Sequence, residues 1–371
     1  MRPVRVLHVL HSMNCGGAET LLMNLYRNMD REKVQFDFLV NVFDEMFYEK
    51  EIEAMGGQIY RMPFLTRVTP PVYTHNLVKF FKTHPYSVVH SHLETTTGLI
   101  LRAAKRAGVP VRIAHSHNSR FTRTGLAALP ENLFKAYCRQ KIVPNATKLY
   151  GCSELANAWL YGKHAAESEL LKNGIDTRAC AFQPEMRAQM RAALSLGSEK
   201  VFGHVGRFND QKNHAFLIEA FAAYHKTNPD SVLLLVGEGV LQPQIEAQVN
   251  AADLSDSVRF LGLRNDVANL LSAMDVFLLP SKFEGLPLVL VEAQASGLSC
   301  LAADTVSPMA NLSAGYFRFL SLETDAWVRA MHDAPVERKD DAANLVAQCG
   351  FDSRIQAEKL QAFYLANGER V

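Results

Sequence analysis

The chain has 371 residues, room for two domains of ordinary size. With 48% apolar and 21% charged residues its composition is globular, which excludes a disordered or low-complexity protein. A net charge of +1 gives no field that gathers nucleic acid, so any anion must be met by local placement of Lys, Arg and helix N-termini.

Residues 4–10 (VRVLHVL) form a short apolar run without clean alternation, the pattern of a parallel strand buried on both faces. Arg2 and Arg5 precede or interrupt it and His8 and His11 break the apolar stretch, so the segment reads as a first strand and not as a signal peptide. A glycine turn, Asn14-Cys15-Gly16-Gly17, follows, and then Leu21, Leu22, Leu25 and Met29 recur at helical spacing. Further strands are predicted at 35–41, 87–91, 110–115 and 148–152, with helical patterns between them. Such alternation predicts a parallel sheet covered on both faces.

The pattern lapses around 174–200 and restarts with a strand at 201–205 that again ends in a glycine turn, Gly206-Arg207-Phe208-Asn209. Strands follow at 231–236, 258–261, 275–279 and 299–303, and the tail 353–365 has helical spacing. The fold class is therefore α/β, two Rossmann-like halves in series. Residues 1–180 are expected to form an N-terminal domain, 181–350 a C-terminal domain and 351–371 a terminal helix. Ligands of open α/β sheets bind beyond the carboxyl ends of the strands, which predicts an interdomain cleft.

No run of about 18 apolar residues is present, so no membrane-spanning helix is expected. The six cysteines (Cys15, Cys138, Cys152, Cys180, Cys300 and Cys349) form no CxxC pair. Reduced thiols in a cytoplasmic protein are the expectation, with no disulfide framework and no zinc knuckle.

Four groups of residues stand out as chemistry. The segment Glu284-Gly285-Leu286-Pro287-Leu288-Val289 with Glu292 follows a strand, and Pro287 suits the first position of a helix. The unpaired backbone N–H groups at such a helix start face an anion, and a carboxylate beside a nucleotide accepts bonds from two ribose hydroxyls. The ordinary reading has Glu284 as a helix-dipole partner and Glu292 as a solvated residue. Arg207 and Lys212 stand five residues apart at another helix start, where cations are poorly placed. A diphosphate resolves that conflict; the alternative is two solvated surface cations. Gly16 and Gly17 permit close approach to a ligand or make a plain tight turn. His90 and His92 end one strand, His115 and His117 another, and each pair points one way. No carboxylate or cysteine stands beside them at metal-ligand spacing, so catalytic or substrate-binding imidazoles are favoured over a metal, with one or two of the four bonded in the core. The basic, aromatic loop Arg120-Phe121-Thr122-Arg123, with Arg102, Lys105, Arg106 and Arg112, fits either an ordinary solvated face or a peripheral contact with phospholipid or a lipid diphosphate.

Taken together these residues resemble the retaining GT-B glycosyltransferases of family 4, the "glycosyl transferases group 1" class, over nearly the whole chain. The parts are GGAE at 16–19, HSH at 90–92, HSHN at 115–118, NGID at 173–176, GRFNDQKNH at 206–214, VGEG at 236–239, FLGLRNDV at 260–267 and EGLPLVLVEAQASG at 284–297. The resemblance is strongest to bacterial exopolysaccharide and capsule synthesis enzymes. It implies two Rossmann-like domains facing across a cleft, 1–180 acceptor-binding and 181–350 donor-binding, with the helix of 351–371 crossing back to the first, and a sugar moved with retention from a nucleotide-sugar, most commonly UDP-linked. The implied acceptor is a saccharide or a polyprenyl-diphosphate-linked saccharide. Glu284 is implied toward the donor sugar and Glu292 toward the ribose. Arg207 and Lys212 are implied on the diphosphate, Gly285, Leu286, Leu288 and Val289 at the nucleotide-facing helix start, and Leu263 against the nucleobase. Gly16 and Gly17 are implied near the diphosphate and acceptor. His117, or His115 one register step away, is implied at the catalytic position, with His90, His92 and Arg120 on the acceptor or sugar side.

There is no Asp-x-Asp in the chain, so no metal on the donor diphosphate and no other cofactor is expected; the leaving group is met by Arg207, Lys212 and backbone N–H groups. The sequence departs from the family pattern at Leu298-Ser299-Cys300 and at Ser307-Pro308-Met309, where a glutamate is expected. Two further readings remain open: a nucleotide-sugar 2-epimerase on the same fold, and a non-catalytic nucleotide-sugar-binding partner subunit.

Overall fold

The computed structural model describes residues 2–14, 16–65, 68–118, 129–284 and 286–369. The chain divides into two compact units, one running to Gly174 and resuming at Ser353, the other spanning Ile175–Asp352. The division follows local chemistry. The Asp176 carboxylate accepts from Arg178 N and Ala179 N, starting a short helix of the second unit. Thr177 Oγ1 then donates to Asp352 Oδ2 at 2.5 Å, closing that unit at its two ends.

The first unit is built on β1 (Val4–Val9), β2 (Val34–Val40), β3 (Ile59–Arg61), β4 (Val88–Ser91), β5 (Val111–Ser116), β6 (Lys148–Gly151) and β7 (Glu169–Leu170). They pair in the order β3-β2-β1-β4-β5-β6-β7, every pair parallel. Alternation along β1 feeds two cores. Val4 and Val6 pack with Leu21, Leu25, Leu360 and Tyr364, while Leu7 and Val9 pack with Tyr73, Leu77, Ile100 and Ala103 on the other face. Helix Gly17–Arg27 and the C-terminal helix Ser353–Asn367 thus share one face of the sheet.

The second unit holds β8 (Lys200–Val205), β9 (Ser231–Val236), β10 (Val258–Phe260), β11 (Val276–Leu279), β12 (Ser299–Ala303) and β13 (Phe317–Leu320). Their order is β10-β9-β8-β11-β12-β13, again all parallel. Both sheets reverse direction of growth beside their first strand, between β1 and β4 and between β8 and β11. Loops leaving the carboxyl ends on either side of such a point diverge and leave a crevice, which is where open α/β sheets bind ligands.

No helix among the described residues is long and apolar enough to cross a membrane. Cys138, Cys152, Cys180 and Cys300 are free thiols.

Candidate functional site

In the second unit the switch point gathers the loops after β8 and β11. The chain leaves β8 through Gly206 and the exposed Arg207, whose guanidinium makes no hydrogen bond or ion pair among the described residues. Phe208 is buried and stacks on the His214 ring at 4.0 Å. Asn209 Oδ1 caps Lys212 N at 3.1 Å, and Asn213 takes the left-handed conformation (φ 56°) that turns the chain into helix His214–His225.

The loop after β11 is laced to this turn. Lys282 N donates to Gln211 O at 2.8 Å, Gln211 Nε2 to Phe283 O at 3.0 Å and Asn213 Nδ2 to Pro280 O at 3.2 Å. The Lys282 ammonium pairs with Asp210. The consequence is a 2.6 Å ion pair between Lys212 Nζ and Glu284 Oε1, with side chains only 17% and 11% exposed. The sequence left Lys212 as an unbalanced cation; the structure balances it with Glu284, 72 positions away. Two solvated surface cations are therefore not what this turn carries: Lys212 is paired, and Arg207 alone stands free beside it.

Glu284 is also held from its backbone. It forms a parallel bridge with Val306, Ser307 N donates to its carbonyl at 3.2 Å, and Thr305 Oγ1 donates to Ser281 O at 2.7 Å. The atypical segment Ser307-Pro308-Met309 thus carries the backbone of Glu284, and its Met309 is about half exposed.

Helix Leu288–Ala295 begins one residue later than its sequence suggests. Pro287 is its N-cap (φ −72°, ψ 113°), so the free N–H groups belong to Leu288 and Val289. The side chains of Leu286, Leu288 and Val289 pack against the cores, so the ligand-facing chemistry of this stretch is its backbone. Gly285 lies outside the described residues. One turn on, the Glu292 side chain makes no hydrogen bond or ion pair among the described residues, and burial pushes its carboxyl up to about 7. The residue is half-buried, not a fully solvated helix position. Desolvated carboxylates without a partner are common at functional sites.

The ends of β8, β9 and β10 are tied together. Phe208 N donates to Glu238 O at 3.0 Å and Gly237 N to Gly262 O at 2.9 Å, after which Leu263 stands 74% exposed. Gly237 has φ 132°, and a Cβ built there would lie 2.2 Å from Gly206 O. Gly237→Ala is therefore expected to destabilise the protein by about 2–4 kcal/mol and to displace the Gly206–Arg207 turn. A thermal melt beside a nucleotide titration checks both effects.

In the first unit Gly16 is the N-cap of helix Gly17–Arg27, and the Glu19 side chain folds back so closely that a Cβ on Gly16 would meet its Oε2 at 2.3 Å. Burial pushes the Glu19 carboxyl above its ordinary value, eased by its own backbone N–H and by His11. Gly17 is exposed and open, its nearest outside neighbour being Asn173 Nδ2.

The strand-end histidines come together with a fifth, His8. His8 and His90 are direct neighbours across β1 and β4. His8 Nδ1 lies 3.1 Å from His92 Nε2, and His92 Nδ1 lies 2.9 Å from His117 Nε2. His90 Nδ1 meets Tyr364 Oη at 2.8 Å. Desolvation lowers all five rings, His8 to about 3 and His117 to about 4, so they are neutral near pH 7. His90 and His115 are completely buried, His92 is nearly so, and His117 is the half-buried ring that reaches solvent.

Glu94, which sequence reasoning missed, anchors this turn. Its Oε1 accepts from His117 N at 2.9 Å and Asn118 Nδ2 at 3.1 Å. Its backbone is left-handed (φ 48°), its Oε2 has no hydrogen-bond partner, and burial pushes its carboxyl up to about 7. Arg120 and the rest of the loop through Arg123 lie outside the described residues. Of the neighbouring cations, Arg112 bonds the carbonyls of Val109, Pro110 and Asn145, Lys105 that of Pro144, and Arg102 the Tyr137 hydroxyl. Those three serve the local structure.

Against known families, residues 16–174 match the glycosyl transferase 4-like domain and residues 186–333 the glycosyl transferases group 1 domain. The chain is 38% identical over 376 residues to a putative glycosyltransferase, EpsF, of Bacillus subtilis (strain 168), covering 99% of this chain and 97% of that one. It is 32% identical to an Escherichia coli UDP-Gal:alpha-D-GlcNAc-diphosphoundecaprenol alpha-1,3-galactosyltransferase, over 62% of this chain and 60% of that one. Among solved structures, Anabaena HepE in complex with UDP superimposes with a TM-score of 0.78 at 18% identity, over 98% of this chain and 100% of that one. The fold is that of the GT-B glycosyltransferases, and the chain belongs to the glycosyl transferases group 1 family: it is a glycosyltransferase.

Proposed function

We propose that the protein transfers a sugar, with retention at the anomeric carbon, from a UDP-sugar to a saccharide or lipid-diphosphate-linked saccharide in the assembly of a bacterial polysaccharide. The observation that carries the donor half is the set at the second unit's switch point. The loops after β8 and β11 carry free Arg207 and the Lys212–Glu284 pair, and the helix that follows β11 carries the backbone N–H groups of Leu288 and Val289 and the unpaired Glu292 side chain. Such a set matches a nucleoside diphosphate group by group. The cations and N–H groups take the phosphate oxygens, Glu292 accepts the ribose hydroxyls, and exposed Leu263 offers the base an apolar surface.

Lys212 carries three donors, so it holds Glu284 and a phosphate oxygen together. Glu284 then faces the sugar from a fixed position. As the bond to the sugar breaks, negative charge builds on the departing diphosphate, and the preorganised donors stabilise that charge without metal. In the first unit His117, fixed by Glu94, and the Gly16–Gly17 turn, open at Gly17, serve the acceptor and sugar side. The UDP identity is supported by the galactosyltransferase relative and the UDP-bound structural neighbour, and the lipid-linked acceptor by the same relative.

The test incubates the protein with UDP-glucose, UDP-galactose and their N-acetylhexosamine counterparts, with and without a diphosphate-lipid saccharide, and reads the product by proton NMR. Acceptor-dependent release of UDP with an α-configured product from an α-configured donor is expected. A β-linked product contradicts retention, and isomerised UDP-sugar formed without acceptor moves the assignment to the 2-epimerase reading.

A further inference from the structure

We propose that His92, His115 and His117 form a binding site for a transition-metal dication of the zinc class, within the first unit. Each ring offers one nitrogen, and the three nitrogens lie within 4.8 Å of one another. Three imidazoles round a tetrahedral ion, bound at about 2.0–2.1 Å, set their nitrogens roughly 3.3–3.4 Å apart. The His92 Nδ1–His117 Nε2 separation of 2.9 Å is already at that scale. The sequence shows these histidines at two strand ends and favours substrate-binding imidazoles over a metal; the pairing of β4 with β5 brings the two ends together.

Two observations point to an ion. First, neither ring nitrogen of His115 has a hydrogen-bond partner although the residue is completely buried. His115 lies near the Leu171 backbone but not with hydrogen-bond geometry. Buried nitrogens without partners are rare in folded proteins and costly, so such a ring in a histidine cluster calls for a ligand that takes a lone pair. Second, an outer partner for the ligand histidine is in place. With His92 Nδ1 on the ion, its Nε2–H donates to His8 Nδ1, 3.1 Å away, which fixes ring orientation.

His8, His90 and His92 are a second possible trio, equally close. His90 Nδ1 is occupied by Tyr364, however, and all three are buried, whereas His117 reaches solvent and gives an ion an entrance and an open fourth position. An imidazole-only set suits zinc, copper or nickel and does not suit magnesium or calcium, so this ion is not a diphosphate clamp.

The experiment uses the full chain, stripped with EDTA and dialysed, then loaded with zinc or cobalt(II). One ion per chain by elemental analysis, a visible cobalt d–d spectrum and a zinc-dependent rise in Tm are expected. His115→Gln and His117→Gln are each expected to weaken binding at least about tenfold, with exposed His75→Gln unchanged. A folded wild type that retains no zinc and gives no cobalt spectrum overturns the proposal. So does stoichiometric binding that both site variants keep. No nucleotide enters the measurement, so its failure leaves the donor reading standing.

Discussion

Replacing Lys212 with alanine is expected to lower kcat by about 10²–10³-fold, the scale seen when one preorganised donor to developing charge is removed. The loss comes from the transition state, where the departing diphosphate carries most charge, so it falls on kcat and kcat/KM together. The substitution also strips the counterion from Glu284, whose side chain is 11% exposed. Breaking a partly buried pair from one side leaves an uncompensated charge and is expected to cost about 1–3 kcal/mol of stability. Lys212→Ala/Glu284→Ala should regain most of that stability and none of the activity. Thermal melts and turnover rates of the two singles and the double, set out as a double-mutant cycle, separate the structural role of the pair from its chemical one. A double variant that recovers activity with stability would leave Lys212 a purely structural cation.

The second large effect concerns Glu292, and it has opposite signs for stability and for binding. Its carboxyl is raised by desolvation from 4.5 to about 7 in the folded protein. Between those values the folded state binds more protons than the unfolded one, so stability falls as pH rises through this window. The penalty is absent below about pH 4.5 and complete above about pH 7. At about 1.4 kcal/mol per unit, and allowing for the side chain's partial exposure, it amounts to roughly 1–3 kcal/mol. Glu292→Gln is therefore expected to raise the Tm at pH 8 and to flatten the slope between pH 5 and 8. Glu94, also raised to about 7, keeps a share of that slope. Nucleotide affinity runs the other way. Two ribose hydroxyls need the ionised carboxylate as acceptor, so affinity should rise with pH toward about 7. Glu292→Gln should lose roughly 10–100-fold, the worth of hydrogen bonds to a charged group. A stabilised variant that binds nucleotide poorly is the signature of a residue kept for function at a cost in stability.

The central strands were legible because strands buried on both faces read as short apolar runs. β1, β2, β4, β5, β6, β8, β9, β11 and β12, and the edge strand β10, lie within a residue or so of their predicted positions. β3, β7 and β13 were not read, and all three are edge strands. Glu169 and Leu170 of β7 are exposed and Ile59–Arg61 only half-buried, so neither stretch carries the apolar run that marks an interior strand.

At the site, Arg207 and Lys212 were visible through a broken local rule, cations at a helix start. The partner that balances Lys212 was not, since ion pairing between loops after β8 and β11 has no local signature. Glu292 was legible as a position, but its desolvation depends on packing around helix Leu288–Ala295. Glu94 was missed for the same kind of reason. Directly after His92-Leu93 it reads as an ordinary helix-start acid, and only its left-handed backbone and its bonds to His117 and Asn118 set it apart. His8 read as an interruption of a strand, and Tyr364 as one more apolar residue of a helix. Their roles against His92 and His90 arise from strand register and from the return of the C-terminal helix to the first unit.

The most direct measurement of the donor site is a calorimetric titration of UDP and GDP into the wild type, Lys212→Ala and Glu292→Gln, each first shown folded by its thermal melt. UDP binding by the wild type, weakened at least about tenfold by each substitution, is the predicted result. A folded wild type that binds neither nucleotide, or binding that both substitutions leave unchanged, would contradict the placement of the donor at the second unit's switch point.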